Sequence, residues 1–426
     1  LKRLGIISDN IIGANDTGVK FSKFGLPTFV SLDVDNLDAI EDTIKVISVN
    51  TNTRHANPQE AYKCVSEVTD RLKKVGIDYF YKKIDSTLRG NPGIEIQGIL
   101  DTLKLDMCVI VPSFPDHRRI VENGYLLVKS SKEDNADYPV CHIPTLLESE
   151  IETQVGLINL SDVRTGAKHL EKKLFELKTS GIKFIVVDAV SEGDLAVIAN
   201  AIKVYSNHCL IAGSAGLTAH LPFVLDFNDN DSKILIKEQP SILVIAATFN
   251  QTTADQIAEL KKMKDIRVIE LATELLNKNK EEVFEKLLSE AEEALRNNLI
   301  TVIATDTLLK NREELEGYKI SENVSLYGTF LAEGLGNTAK ALALRGLVTD
   351  IVVTGGGTTS YVVKQMGADG IILEQELLSG IPLGKLKGGK CEGIRIITKA
   401  GGFGTKDALA KVVAFLKNTN LYAIVD

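Results

Sequence analysis

The chain has 426 residues, of which 49 are basic and 57 acidic, with 44% hydrophobic, 25% charged and 6% aromatic side chains. That is apolar material for about two to three domains of about 150 residues each, and neither a disordered acidic chain nor a collagen-like fibre fits the mixture, despite 33 glycines. A net charge of -8 argues against a broad basic face for nucleic acid or anionic lipid but leaves room for a local cationic pocket that takes a small anion.

Short β-branched runs alternate with amphipathic helical stretches along the whole length. This is the pattern of mostly parallel sheets flanked by helices, so the expected fold class is α/β. In the first half, strands are expected at Leu4 to Asp9, Thr28 to Leu32, Val46 to Asn50, Tyr79 to Ile84, Met107 to Phe114, Phe184 to Ala189 and Cys209 to Gly213. The opening run meets an acid after a few apolar residues, so it reads as a first strand rather than a targeting segment. In the second half, strands are expected at Ile242 to Thr248, Arg267 to Leu271, Ile300 to Thr305, Ile351 to Thr354, Gly370 to Leu373 and Ile394 to Lys399, with helices at Thr252 to Lys264 and Lys280 to Asn297. No apolar run approaches the roughly 18 residues that a membrane helix needs.

The polar, acidic stretch Asp226 to Ser232, followed by Lys237-Glu238-Gln239-Pro240, cannot bury itself and predicts a boundary between two domains, 1–230 and 238–426. A second polar segment, Ser130 to Tyr138, reads as a surface loop within the first domain. The five cysteines, Cys64, Cys108, Cys141, Cys209 and Cys391, are odd in number and contain no C-x-x-C pair. A disulfide framework and a structural zinc site are therefore not expected, and a reducing, cytoplasmic setting fits. The scattered histidines offer no metal-ligand spacing, so no protein-held metal is expected.

In open α/β sheets ligands bind outside the carboxyl ends of the strands, so the polar residues that follow each strand are the candidates. Asp9 ends the first strand and leads into Asn10 to Gly18. Thr51-Asn52-Thr53-Arg54 follows the third and ends in a guanidinium able to grip a carboxylate in two places. Lys82-Lys83-Ile84-Asp85-Ser86-Thr87-Leu88-Arg89-Gly90 gathers cations, an acid and hydroxyls at one strand end. Strand alternation puts Lys83 and Asp85 on one face and Lys82 on the other, which makes one lysine structural. Pro112 to Arg119 would form a further wall. In the second half two glycine turns follow strands and are expected to open helices: Thr354-Gly355-Gly356-Gly357-Thr358 and Lys399-Ala400-Gly401-Gly402-Phe403-Gly404. Such turns let backbone N–H groups approach phosphate oxygens. Neither is a Walker A loop nor a G-x-G-x-x-G fingerprint, which disfavours a Rossmann dehydrogenase.

Together, these segments, with Gly213-Ser214-Ala215-Gly216-Leu217, resemble the four-carbon acid sugar kinase family over nearly the whole chain. The alternating elements on both sides of the acidic segment predict a ligand cleft between the two domains; the resemblance implies an N-terminal acid-sugar domain, a C-terminal nucleotide domain, and phosphorylation of the terminal hydroxyl of threonate, erythronate or 3-oxo-tetronate by ATP with Mg²⁺. This chain departs from the family pattern at Asp9-Asn10, where a second acid is usual, at Ala247-Thr248-Phe249-Asn250, where a glycine is usual, and at Gly356-Gly357-Thr358, where an acid is usual. On this reading Arg54, Lys83, Ile84, Asp85, Ser86 and Arg89 contact the acid sugar together with Asp9. Asp9 orients or deprotonates the attacking hydroxyl, with Asp85 the rival base, while Thr248, Gly355, Gly356, Gly357, Thr358, Gly401 and Gly402 cradle ATP. The alternative is a catalytically weakened protein that binds nucleotide and acid sugar without efficient transfer. Partners would be these small molecules, not nucleic acid or membrane, and a homodimer is left open.

Overall fold

The computed structural model describes residues 2–34, 37, 40–128, 138–205, 208–224, 240–247, 250–272, 279–305 and 324–417. The chain divides into two compact units, Leu1–Asp231 and Ser232–Asp426. The acidic stretch at 226–232, the basis of the expected boundary, lies outside the described residues.

In the first unit the strands are β1 (Leu4–Ser8), β2 (Thr28–Ser31), β3 (Val46–Asn50), β4 (Tyr79–Lys83), β5 (Cys108–Val111), β6 (Arg119–Glu122), β7 (Tyr125–Val128), β8 (Tyr138–His142), β9 (Val155–Ile158), β10 (Phe184–Val187) and β11 (Leu210–Gly213). The main sheet runs β2-β3-β1-β4-β11-β5-β10-β9, and every pairing in it is parallel. Its strands are near-continuous apolar runs because helices cover both faces of a parallel sheet. The order reverses at β1, with β3 on one side and β4 on the other. Ser8 is in register with Asn50 and with Lys83, so the segments that follow these three strands leave the sheet at one level. A crevice forms at such a reversal, where the chains part to opposite faces. Helix Ile11–Ser22, buried along its whole length, starts there; the Asn10 side chain caps it by accepting the Gly13 N–H at 2.8 Å.

Two expectations for this unit are corrected. Arg119 opens β6 rather than closing a loop, and Tyr138 opens β8 rather than ending one, while 129–137 lies outside the described residues. β6, β7 and β8 form a separate antiparallel sheet. Its turn is Asn123-Gly124, with φ of 52° and 73°, a two-residue hairpin pair that needs positive φ at both positions. The buried Asp188 carboxylate holds the turn by accepting the N–H groups of Asn123 and Gly124 at 2.7 and 2.9 Å.

The second unit contains β12 (Ile242–Ala246), β13 (Ile266–Leu271), β14 (Ile300–Thr305), β15 (Asp350–Thr354), β16 (Gly370–Leu378), β17 (Ile381–Lys387) and β18 (Arg395–Lys399), ordered β13-β14-β12-β15-β18-β17-β16. The pairings are parallel except at β17, which runs antiparallel to both neighbours. β16 is longer than the expected Gly370 to Leu373, since Glu374 to Leu378 pair on into the hairpin as a half-buried strand. Helix Gln251–Leu260 packs with helix Ala408–Leu416 over a core that includes Val244, Val302, Val352 and Ile397. Among the described residues no helix is long and apolar enough to cross a membrane.

At the amino ends of β15 and β18, Asp350 and Arg395 are register partners and form a buried ion pair at 2.5 Å. Removing one member strands the other charge. Arg395→Met should lower the unfolding free energy by about 3 to 5 kcal/mol, read by urea titration, and Asp350→Asn added to it should recover part of the loss. A cost below about 1 kcal/mol would place the pair in contact with water.

Candidate functional site

The carboxyl edge of the first sheet carries one chain of alternating charges. Asp9, directly after β1, receives two hydrogen bonds from Arg54, Nε to Oδ2 at 2.7 Å and Nη2 to Oδ1 at 2.9 Å. The same Nη2 lies 3.3 Å from Asp85 Oδ1. Arg89 then grips Asp85 from the other side, Nε to Oδ2 at 2.8 Å and Nη2 to Oδ1 at 2.9 Å. The Asp9 side chain is 3% exposed and Arg54 11%, whereas Arg89 is 64% exposed, so the network runs from the floor of the crevice to solvent.

The free guanidinium fork expected at Arg54 is therefore taken: the edge suited to a substrate carboxylate is occupied by Asp9. A guanidinium carries five N–H donors. The bonds to Asp9 and Asp85 use Nε and Nη2 and leave Nη1 without a partner among the described residues. Burial opposes the charge on Asp85, but the hydrogen bond from Arg89 and the charges of Arg54, Arg89 and Lys83 outweigh it and hold the carboxyl well below the usual carboxylate range. Both Asp85 oxygens are thereby engaged by arginine.

The two lysines part as strand alternation requires. Lys82 lies in the core, 2.6 Å from Glu95 on helix Pro92–Leu103, both essentially without exposure. Lys83 is buried against the turn after β1, its Nζ donating to the Ile84 carbonyl at 2.7 Å. Burial pushes its ammonium below the ordinary lysine value against the opposing pull of Asp9, Asp85 and Asp16. Ile84 is buried and donates its N–H to the Gly213 carbonyl at 2.9 Å, which leaves it a backbone role; Ser86 is half-buried at the rim.

Two positions absent from the expected set belong to this site. Gly90 sits at φ +92°, and a Cβ there would come within 3.3 Å of Asp9 Oδ2 and 3.6 Å of the Arg54 backbone. Its place at the end of the cation-rich run was the available signal. Glu95 pairs with Lys82 and accepts a hydrogen bond from Thr53, the residue before Arg54, so the core pair anchors the Arg54 loop. An acid in the first turn of a helix opened by Asn91-Pro92 reads from sequence as ordinary capping, which hides this second duty.

In the second unit the two glycine turns leave neighbouring strands, and the Gly355 N–H donates to the Lys399 carbonyl at 2.8 Å. Gly355, at φ +94°, opens helix Gly356–Gln365, and Thr358 Oγ1 donates to the Ala247 carbonyl at 3.2 Å. Among the described residues a Cβ at Gly357 would meet nothing within 4 Å. Thr248 lies outside the described residues. The second turn differs from the expectation that it opens a helix directly. Gly401 and Gly402 are followed by further turns, and helix Ala408–Leu416 begins only later. Among the described residues no group of three His, Cys, Asp or Glu side chains is placed to hold a metal ion.

Residues 4–221 match the sugar-binding N-terminal domain family and 243–409 the nucleotide-binding C-terminal domain family. The chain is 27% identical over 420 residues to a D-threonate kinase of Bordetella bronchiseptica, covering 97% of each chain. It is 28% identical to a D-erythronate kinase of Heliobacterium modesticaldum, covering 96% of each, and 25% identical to a 3-oxo-tetronate kinase of Haemophilus influenzae, covering 95% of this chain and 97% of the relative. A crystal structure of a Salmonella typhimurium protein described as a tRNA synthase superposes with a TM-score of 0.76 at 21% identity, covering 96% of this chain and 98% of that one. At that identity the likeness concerns the fold and not the activity.

The Asp85 network makes a pH prediction. Its carboxyl is lowered in the folded state from an ordinary 3.8, so its contribution to stability is present above that value and is lost as pH falls from about 4 towards the folded pKa. Urea titrations at pH 7, 4 and 3 should show stability falling with acid, and falling less steeply in Asp85→Asn. Equal slopes in both proteins would mean that Asp85 is solvated and unpaired in the folded state.

Proposed function

The chain belongs to the four-carbon acid sugar kinase family, and from that premise we propose that it is an ATP-dependent kinase acting on the terminal hydroxyl of a four-carbon acid sugar of the threonate, erythronate or 3-oxo-tetronate type. The observation that carries this reading is the buried Asp9 carboxylate held on both oxygens by Arg54 at the reversal of the sheet. Phosphoryl transfer asks a protein mainly to position a hydroxyl and to neutralise charge. Asp9, fixed in direction by Arg54, accepts a hydrogen bond from the acceptor hydroxyl, aims its oxygen, and takes the proton late, as a loose transition state allows.

The substrate carboxylate needs cations that the network leaves available. Arg54 Nη1 and the exposed Arg89 are the donors, with Ser86 at the rim and Lys83 lending positive potential from below. Gly90 keeps the wall beside Asp9 free of side-chain bulk. ATP, with Mg²⁺ offsetting part of its charge, supplies the phosphoryl group. The residues that fit it are Gly355, Gly356, Gly357 and Thr358 in one turn and Gly401 and Gly402 in the other, with Thr248 assigned from sequence. With no carboxylate cluster for a metal among the described residues, Mg²⁺ would be carried by phosphate oxygens and water, as a cation that keeps several waters can be.

A screen of four-carbon acids with ATP, read by the mass of phosphorylated product, should give one or two substrates. Asp9→Asn, which is nearly isosteric, should then lower kcat by about 100- to 10,000-fold with little change in the KM for the acid. Full turnover in Asp9→Asn would remove Asp9 from the reaction. Saturable binding of both ligands to the wild type without product would favour the weakened binding protein.

A further inference from the structure

We propose that Lys399 is a positioning residue that sets the 400–404 turn for nucleotide phosphate; this rests on the nucleotide-site reading above. Lys399 is the last residue of β18 and has no exposed surface. Its ammonium donates to the carbonyls of Ala400 at 2.8 Å, Gly401 at 3.1 Å and Phe403 at 3.1 Å. Its fourth contact is the Thr253 Oγ1 at 3.5 Å; a lysine buried with its charge met by neutral oxygens is costly to desolvate, and burial indeed pushes its pKa down to about 7. The three closer acceptors, all carbonyls, favour the charged form in turn.

The same carbonyls are gathered from a second side by helix Gln251–Leu260. Thr253 Oγ1 donates to the Gly401 carbonyl at 2.8 Å, and Gln256 Nε2 donates to the carbonyls of Phe403 at 3.0 Å, Gly404 at 3.3 Å and Thr405 at 2.9 Å. A trans peptide unit sets its N–H opposite its C=O. Drawing the carbonyls of Ala400, Gly401 and Phe403 onto Lys399 therefore turns the N–H groups of Gly401, Gly402 and Gly404 away from it. None of these three N–H groups has a partner among the described residues. A donor on the carbonyl also polarises the N–H of the same peptide unit. The turn does not draw on a helix dipole, since the next helix begins at Ala408; a buried cation takes its place.

The test uses the full chain, with ADP and the β,γ-imido analogue of ATP titrated calorimetrically into wild type, Gly401→Val and Lys399→Met, alongside steady-state kinetics. Wild type should bind nucleotide and Gly401→Val should not. Lys399→Met, melting cooperatively, should lose about tenfold or more in nucleotide affinity because the Ala400 carbonyl loses its side-chain donor and the Gly401 and Phe403 carbonyls keep only Thr253 and Gln256. Its nucleotide KM should rise accordingly while its acid-sugar KM stays within about twofold. Normal nucleotide binding by Lys399→Met, with binding lost in Gly401→Val, overturns the role of Lys399 alone. A wild type that binds no nucleotide, or a Gly401→Val that binds normally, overturns the nucleotide-site reading and this proposal with it. Should Lys399→Met fail to fold, hydrogen exchange in the wild type decides: ADP should slow the amides of Gly401, Gly402 and Gly404, and unchanged exchange at all three overturns the proposal.

Discussion

The bidentate pair between Asp9 and Arg54 joins the residue after β1 to the loop after β3, and the second carboxylate, Asp85, ties that pair to the end of β4. These are the three strands that meet where the sheet order reverses. Without the pair, Asp9 would be an isolated charge in a nearly dry crevice, at a cost of several kcal/mol. Without Asp9, the Arg54 loop would lose the contact that closes it. The pair thus fixes the direction of the carboxylate and excludes most of the arginine from any other duty.

The candidate sites of the two units are built by different physical means. The first gathers side-chain charges of both signs, most of them spent on internal pairs. The second presents two backbone turns, one opened by Gly355 at positive φ and the other with its carbonyls held by Lys399, Thr253 and Gln256. Side-chain cations suit a small acid that carries both carboxylate and hydroxyls. A backbone cradle suits phosphate, whose oxygens accept several short hydrogen bonds at once.

Fold class and most strand positions were legible because buried parallel strands write themselves as apolar runs, whereas strand order was not. The hairpin at Asn123-Gly124 was equally legible in its turn pair but was read past, since the charged residues around Arg119 looked like loop. Asp9, Arg54, Lys83, Asp85 and Arg89 stand out in the sequence by their place after strands, and the structure gathers them along one sheet edge. What sequence could not give was the pairing among them, because whether an arginine faces substrate or a neighbouring acid depends on distances of a few ångströms between segments far apart in the chain. The burial of Lys399 and of Glu95 was hidden for a related reason: each is a charged residue enclosed by contacts that only the folded chain supplies.

The central claim, that Asp9 addresses the acceptor hydroxyl while Arg54 stays locked to it, is tested most directly by a crystal structure of the chain with a four-carbon acid bound and no nucleotide. The expected result is a ligand hydroxyl within hydrogen-bonding distance of Asp9, the Asp9–Arg54 pair intact, and the ligand carboxylate on Arg54 Nη1 or Arg89. An Arg54 swung away from Asp9 to grip the ligand carboxylate with its fork, or a ligand bound away from Asp9, would contradict it.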